Sequence, residues 1–424
     1  MTKSIFATYQ SIIGKLNYIV FLLLIISLPF PTEFKMRLWP IWLITWALEF
    51  RFVERSNFRF RRSFYAVAMM VGFFLWNALS ILWSNNPAQG WSDIERALSV
   101  LALPLIALYG VNRHYKSYQI QTAIVGGTVA SVLVYSFVVF FCYEADLIHL
   151  FPTYAPLLAL SEGPIAILKH RLFYCIVMLV AIGCTGNLYK HYIQQYSKSK
   201  VITTLVVANL IILTGIFFTS SRSTLLILPI YLILLFLFNT NHSFKSRTLI
   251  ITTLVIFVAG AMIVLTNPRF KYIFSSRTTE SIYTTPSPDN PRAYIYYTVI
   301  SHWKSYGFFG LGIGSEQDFL VQQYEQQQQP LALFRKWHAH SEYLNTWMRL
   351  GPLGPLVLLA IVICFPVFFS GTARKDAILL SINYGWAMVT DLVLSFADPL
   401  YSLFVLWVIL EIEQREDLSQ PLRP

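Results

Sequence analysis

The sequence predicts an all-α polytopic membrane protein with about twelve transmembrane helices and one large loop outside the membrane. The first observation is composition: 56% of the 424 residues are hydrophobic and 12% are charged, whereas a soluble domain carries about 25% charged residues. The second is a mean hydropathy of +0.55. The third is a series of apolar stretches along the chain, interrupted by a single long polar interval at residues 267–340. These values exclude a soluble globular domain.

A helix that crosses the bilayer needs about 20 mainly apolar residues, within a range of roughly 17–25. The stretches that approach this length are residues 16–30, 38–50, 64–84, 97–111, 122–142, 172–188, 201–219, 223–238, 248–266, 352–370, 376–392 and 399–412. The second and the last are short for a span. We therefore expect twelve helices in the order given.

The positions of Lys and Arg predict the orientation, because basic residues are retained on the cytoplasmic side of a membrane. With a cytoplasmic N-terminus, most of the 32 Lys and Arg fall in the two tails and in the loops 51–63, 111–121, 189–200, 239–247 and 371–375. Both termini are then cytoplasmic, and the long loop lies on the outer side. The net charge of +11 follows from this topology, so nucleic-acid binding is not needed to explain it.

Three regions are expected on this basis. Residues 1–266 hold helices one to nine, residues 267–350 form the external loop, and residues 351–424 hold helices ten to twelve and a short cytoplasmic tail. Within the loop, the mixed pattern of residues 292–303 predicts a short amphipathic helix at the membrane surface. Four glycines follow, and no predicted strand precedes them, so they are not a dinucleotide fingerprint. They indicate close backbone approach, and they are Gly307, Gly310, Gly312 and Gly314.

The strongest local pattern lies where the loop returns to the membrane, at residues 338–354. On a continuous helix, His340, Leu344, Trp347 and Gly351 would share one face, which would place His340 at the outer rim of the bundle. An isolated histidine is usually structural. The neighbouring His338 makes a reaction centre more plausible, although the aromatic residues around it also suit an interfacial belt.

This pattern resembles the signature of the O-antigen ligase and polymerase superfamily: a histidine, a Ser, Asn or Gln, nine residues, a glycine, two residues and a second glycine. His340, Ser341, Gly351 and Gly354 fit it. Further resemblances are residues 80–87 at the outer end of the third span, the Arg292 helix leading to the glycines, Arg222 followed by Leu226, and Asp391 after the loop.

The resemblance implies a GT-C-like glycosyltransferase of the Gram-negative inner membrane with its active site facing the periplasm. The donor would be a glycan on undecaprenyl pyrophosphate, and the acceptor a sugar hydroxyl of lipid A-core. Membrane lipids would be the other partners. Neither a nucleotide nor nucleic acid would take part, no cofactor or metal is expected, and the reaction would invert the anomeric centre.

Particular residues suit the steps of such a transfer. His340 is the candidate base, because an imidazole titrates near neutral pH. Arg222 and Arg292 are the candidate ligands of the donor pyrophosphate, since a guanidinium binds phosphate bidentately. Supporting roles are expected for His338, Asp391, Ser221 and Gly351.

For the charged residues, explanations that involve no part in a reaction also remain open. Arg222 can snorkel to the interface from the end of a helix, and Arg292 can be an exposed loop charge. Asp391 either orients His340 or is a polar residue at a helix end.

Three other functions also remain open. An O-antigen polymerase of the same superfamily usually has two substantial external loops, whereas one is predicted here. A protein O-oligosaccharyltransferase would carry a soluble domain after its last span. A transporter would have broken helices in paired repeats, and the sequence has no such repeat.

Overall fold

The structure is a computed structural model that describes residues 2–30, 32–50, 63–110, 115–144, 171–219, 221–239, 291–394 and 397–419. Across these ranges the regular secondary structure is helical, without a strand. The helices before the loop are α1 (Thr2–Ile26), α2 (Thr32–Phe50), α3 (Ser63–Leu79), α4 (Pro87–Gly110), α5 (Ser117–Glu144), α6 (Arg171–Tyr192), α7 (Lys198–Thr219) and α8 (Arg222–Asn239). Those within the predicted loop are α9 (Pro291–Ser301), α10 (Glu316–Gln326), α11 (Pro330–Arg335) and α12 (Glu342–Leu350), and those after it are α13 (Leu353–Cys364), α14 (Gly371–Thr390) and α15 (Ala397–Ser419).

The predicted spans correspond to helices wherever the chain is described, and the ninth, residues 248–266, lies outside the described residues. Among the described residues, four helices are long and apolar enough to cross a membrane: Ser63–Trp83, Ser117–Val138, Leu172–Tyr192 and Lys198–Thr219. Shorter apolar helices cover Ser11–Ile26, Ser223–Phe238 and Leu353–Phe368. Helices suit a bilayer because they satisfy their own backbone hydrogen bonds. The chain is a helical membrane protein, and twelve crossings remain a prediction.

Helix α6 lies at the centre of the bundle. It packs against α5, α7, α8 and α14, and 78% of its apolar window is buried inside the protein. Helix α7 has the highest hydropathy of the four long candidates, yet only 22% of its window is buried. Apolar side chains that face outward are stable only in an apolar solvent, so α7 is expected at the lipid-facing edge.

The loop helices α9 to α12 form a separate small core at one end of the bundle. Its buried members are Tyr294, Ile295, Val299, Tyr306, Leu320, Tyr324, Ala332, Ala339 and Met348. The predicted short helix at residues 292–303 is confirmed as α9. The Gln-rich run 322–329 also has regular structure, because its first half completes α10.

Close backbone approach is confirmed for Gly310, Gly312 and Gly314, two of which meet the end of α3 and the start of α4. It is wrong for Gly307, where an added Cβ atom would meet nothing within 4 Å. A Cβ atom on Gly312 would lie 2.6 Å from the carbonyl oxygen of Ser80, and one on Gly314 would collide with the backbone of Gly90. The Ser84 hydroxyl donates to the carbonyl of Ile313 at 2.7 Å. These contacts fix the loop on the bundle, and therefore fix the position of the histidines that follow.

Candidate active site

His340 lies in a turn, and the prediction that it shares a helix face with Leu344, Trp347 and Gly351 is wrong. Helix α12 begins only at Glu342, because the Ser341 side chain caps it by accepting from the Leu344 N–H. A Ser at the N-cap satisfies one of the four free N–H groups of a helix start. His340 precedes this cap with a φ of 48°, a left-handed conformation that is uncommon for residues other than glycine.

The segment after His340 is anchored to the end of α14. The Ser341 hydroxyl donates to the Met388 carbonyl at 3.3 Å, and the Glu342 N–H donates to the Asp391 carbonyl at 3.1 Å. The Glu342 carboxylate accepts from the Leu394 N–H at 2.9 Å. Burial raises the pKa of Glu342, although the Arg349 charge and the N–H of Leu394 oppose that rise.

Asp391 lies between His340 and Arg292. Its Oδ1 atom is 3.9 Å from Nδ1 of His340, and its Oδ2 atom is 3.6 Å from a terminal guanidinium nitrogen of Arg292. The Asp391 side chain is 3% exposed, whereas that of Arg292 is 39% exposed. The Asp391 carboxyl group therefore lies between the imidazole and a guanidinium that is partly exposed, so it can orient the imidazole while Arg292 faces outward.

Tyr296 is a site residue that the sequence reasoning missed. Its hydroxyl lies 2.8 Å from the His340 carbonyl oxygen and 3.0 Å from that of Val389, so its single proton is shared between the two acceptors. Burial, the largest effect, raises the pKa of Tyr296 to about 12, so the phenol keeps its proton at neutral pH. The sequence gives no spacing signal for these contacts, because the partners lie on other elements.

His338 contacts His340 directly. The two rings lie 4.0 Å apart between centroids, and the His340 N–H donates to Nδ1 of His338 at 3.1 Å. Ligand atoms of His338, His340 and Asp391 lie within 4.8 Å of one another, a grouping that could hold a metal ion. Two features argue against a metal ion here. The lone pair on Nδ1 of His338 already accepts the His340 N–H, and the Arg292 guanidinium competes with a cation for the Asp391 carboxylate.

Arg222 is the first residue of α8, and its side chain is outside what the structure describes. The next residue links α8 to the site, because the Ser223 hydroxyl lies 2.9 Å from that of Thr390, the residue before Asp391. Ser221 is buried and accepts from the Thr224 hydroxyl at 3.0 Å. The start of α8 therefore adjoins the end of α14 that carries Asp391.

Residues 207–360 match the family model described as O-antigen ligase. This match, over about a third of the chain, supports membership of the O-antigen ligase/polymerase superfamily. Members of this family are glycosyltransferase-like enzymes. No curated protein is significantly similar to the chain. The segment that matches the O-antigen ligase family contains Arg222, Arg292 and His340, whereas Asp391 lies beyond it and joins the site only through tertiary contacts.

Gly351 lies at the C-terminal end of α12, away from His340. It belongs to the segment that matches the O-antigen ligase family model. It ends α12 with a φ of 71°, and a Cβ atom there would collide with the Phe308 carbonyl. The preceding turn holds Arg349, which the sequence reasoning also missed. Arg349 is 13% exposed and pairs with Asp93 at 3.2 Å and with Glu316. These ion pairs join the loop to α4 and make Arg349 a packing residue.

Proposed function

We propose that this protein is an O-antigen ligase, which transfers a polysaccharide from undecaprenyl pyrophosphate to a sugar hydroxyl of lipid A-core and so completes lipopolysaccharide. The observation that carries the proposal is the grouping of His340, Asp391 and Arg292 at one end of the bundle. A lipid-linked polysaccharide donor and a lipid acceptor suit the family in general. They also suit a site at the end of a membrane bundle, which both lipids can reach from the bilayer.

The first step in this mechanism is removal of the acceptor proton. Nδ1 of His340 faces Asp391, so Nε2, on the other side of the ring, is the nitrogen that can face the acceptor hydroxyl. Asp391 favours the tautomer with the proton on Nδ1 and stabilises the imidazolium that forms, as a carboxylate does behind a catalytic histidine. His340 is the proposed catalytic residue, and Asp391 is a positioning residue.

The second step is departure of the pyrophosphate. Negative charge grows on the leaving group as the anomeric C–O bond breaks, and fixed positive charge stabilises it. Arg292 is partly exposed beside Asp391, where its planar guanidinium can bind two phosphate oxygens. Arg222 would add a second guanidinium, because the start of α8 adjoins α14. The N–H groups at that helix start also favour an anion.

The bond changes balance without a covalent enzyme intermediate. The acceptor oxygen forms a bond to the anomeric carbon, the bond from that carbon to the phosphate oxygen breaks, and the acceptor proton passes to His340. The pyrophosphate leaves with the electron pair of the broken bond. A single displacement inverts the anomeric configuration. Since arginines supply the positive charge, the proposal requires neither a divalent metal nor a nucleotide.

The active site would face the periplasm of a Gram-negative bacterium, with both termini in the cytoplasm. In this proposal the chain divides at residues 266 and 350. The histidine motif then belongs to the external loop, which lies between predicted spans one to nine and predicted spans ten to twelve. A GT-C-like architecture belongs to the same proposal. The second candidate is an O-antigen polymerase, which the superfamily assignment supports equally.

The decisive experiment combines purified protein with a polyprenyl-linked glycan in EDTA, without nucleotide, and offers lipid A-core as the acceptor. We expect a glycan ladder on lipid A-core and, by NMR, the anomer opposite to that of the donor. A parallel reaction offers a second polyprenyl-linked glycan instead. Extension of that glycan with no transfer to lipid A-core would favour the polymerase. Activity that requires magnesium, or a retained anomer, would overturn the mechanism.

A further inference from the structure

Tyr296 and Arg292 lie on one face of α9, because residues four positions apart are neighbours on a helix surface. Arg292 contacts the carboxylate of Asp391. One turn later, Tyr296 contacts the carbonyl oxygens of His340 and Val389. A single helix face therefore contacts the histidine turn and the end of α14, the two segments that must stay in register for His340 to meet Asp391.

The backbone at His340 needs such a restraint. Its φ of 48° is unfavourable for a residue with a Cβ atom, and such conformations persist where surrounding contacts determine them. On the N-terminal side of this turn, the His340 N–H bonds to His338. On the C-terminal side, Ser341 caps α12. The hydroxyl of Tyr296 is the contact that reaches the His340 carbonyl from a different element.

The link to Val389 gives the same hydroxyl a second effect. Val389 is two residues before Asp391 at the end of α14, so one phenol bridges the backbone of the histidine and the backbone that presents the carboxylate. Tyr294 and Tyr297 flank this position but serve elsewhere. The Tyr294 hydroxyl donates to Gln327 at 2.6 Å, and Tyr297 is 51% exposed.

We propose that Tyr296 is a positioning residue that holds the His340 turn in register with Asp391 and couples it to Arg292 through α9. The catalytic part of this inference rests on the proposed role of His340 as the base. Tyr296 does not itself transfer a proton. Its hydroxyl fixes the backbone of His340 relative to that of Val389. It thereby fixes the distance between the His340 imidazole and the Asp391 carboxylate.

The kinetic test is Tyr296→Phe, which removes the hydroxyl and keeps the ring. Tyr297→Phe is the matched control on the exposed side of α9, and Tyr294→Phe is the control for losing a buried tyrosine hydrogen bond. Loss of one hydrogen bond that fixes a reacting group corresponds to roughly a 10-fold fall in kcat. We expect that fall in Tyr296→Phe with the KM for the donor unchanged, and wild-type kcat in both controls.

A double-mutant comparison separates positioning from general structural support. If Tyr296 acts through His340, Tyr296→Phe should have no further effect in protein that already carries His340→Ala, whose residual transfer is measured with a radiolabelled donor. A structural role would lower activity by the same factor in both backgrounds. Equal factors, or wild-type kcat in Tyr296→Phe, would overturn the inference.

Hydrogen exchange tests the restraint without relying on activity. Amides in the segment 338–343 should exchange faster in Tyr296→Phe than in wild type, and at the wild-type rate in Tyr297→Phe. Unchanged exchange in Tyr296→Phe would refute the restraint even if the enzyme is a ligase. Absence of transfer by the wild-type protein would refute the proposed function, while the exchange result would still decide the role of Tyr296.

Discussion

Nδ1 of His340 and Oδ1 of Asp391 lie 3.9 Å apart, which is beyond the range of about 2.7–3.2 Å for a hydrogen bond from nitrogen to oxygen. Catalytic contacts are often long in the absence of substrate and shorten in the reacting complex. Asp391 is buried and also contacts Arg292. A ligand that binds Arg292 would change the charge around Asp391, so donor binding and orientation of the base are connected through this carboxylate.

Replacing the base should affect transfer far more than replacing its neighbour. We expect His340→Ala to lower the rate by about 10²–10⁴-fold, the usual contribution of a general base. His338→Ala should be milder, because His338 accepts from the backbone N–H of His340 and is not the proposed base. Rates are measured with purified protein, and size-exclusion chromatography checks that each variant inserts and folds. The reverse order of effects would assign the base to His338.

The phosphate site should require the shape of arginine as well as its charge. Arg292→Lys and Arg222→Lys should each restore only part of the activity lost in the corresponding Ala variant, since Lys lacks the planar fork. Arg349→Lys is a useful comparison, because Arg349 is paired with Asp93 and Glu316 and should affect stability instead. Donor KM and kcat are measured for each variant. Full activity in both Ala variants would leave snorkelling as the role of Arg222.

Gly351→Ala should destabilise the protein. The substitution places a Cβ against the Phe308 carbonyl at a φ of 71°, and strained residues of this kind cost about 1–3 kcal/mol. The matched control is Gly72→Ala in α3, where an added Cβ meets nothing within 4 Å and Ala is favoured over Gly by roughly 0.5–1 kcal/mol. Thermal stability in detergent should fall for the first variant only. Equal melting temperatures would contradict the close packing of the loop.

Glu342 should give the stability of the loop a pH dependence. Burial raises the pKa of Glu342 above its ordinary value of 4.5, so the folded state binds this proton more tightly than the unfolded state. The protonated Glu342 side chain therefore stabilises the folded state fully below about pH 4.5, and this stabilisation is lost as the pH rises through the pKa that Glu342 has in the folded protein. The melting temperature of wild type should therefore fall relative to Glu342→Gln as the pH is raised from about 4.5. Parallel curves for the two proteins would show that Glu342 does not titrate in this way.

The external position of the loop can be tested with single cysteines in a cysteine-free background. Glu325→Cys in α10 should react with a membrane-impermeant maleimide in intact spheroplasts, because residue 325 is exposed and belongs to the predicted periplasmic loop. Ser197→Cys, between α6 and α7 and also exposed, should react only after the membrane is permeabilised. Labelling in the opposite order would place His340 in the cytoplasm and end the proposed mechanism.

The sequence alone determined the helical membrane fold, because the bilayer requires each span to be apolar and to satisfy its own backbone hydrogen bonds. It also determined the histidine motif and the glycines of the loop, since both are local patterns. Local periodicity failed at His340, where the hydroxyl of Ser341 begins α12 two residues later than the apolar pattern predicts. Periodicity describes which side of a helix is apolar and does not by itself fix where the helix starts.

Only the tertiary structure decided which side chains meet around that histidine. Asp391 and Tyr296 reach His340 from α14 and α9, and Arg349 finds Asp93 on α4. No spacing along the chain encodes these contacts, because they depend on how the loop docks against the bundle. In that docking, the backbone at Gly312, Gly314 and Gly351 packs closely against carbonyl groups and glycines of distant segments. This match of shape exists only in the folded chain.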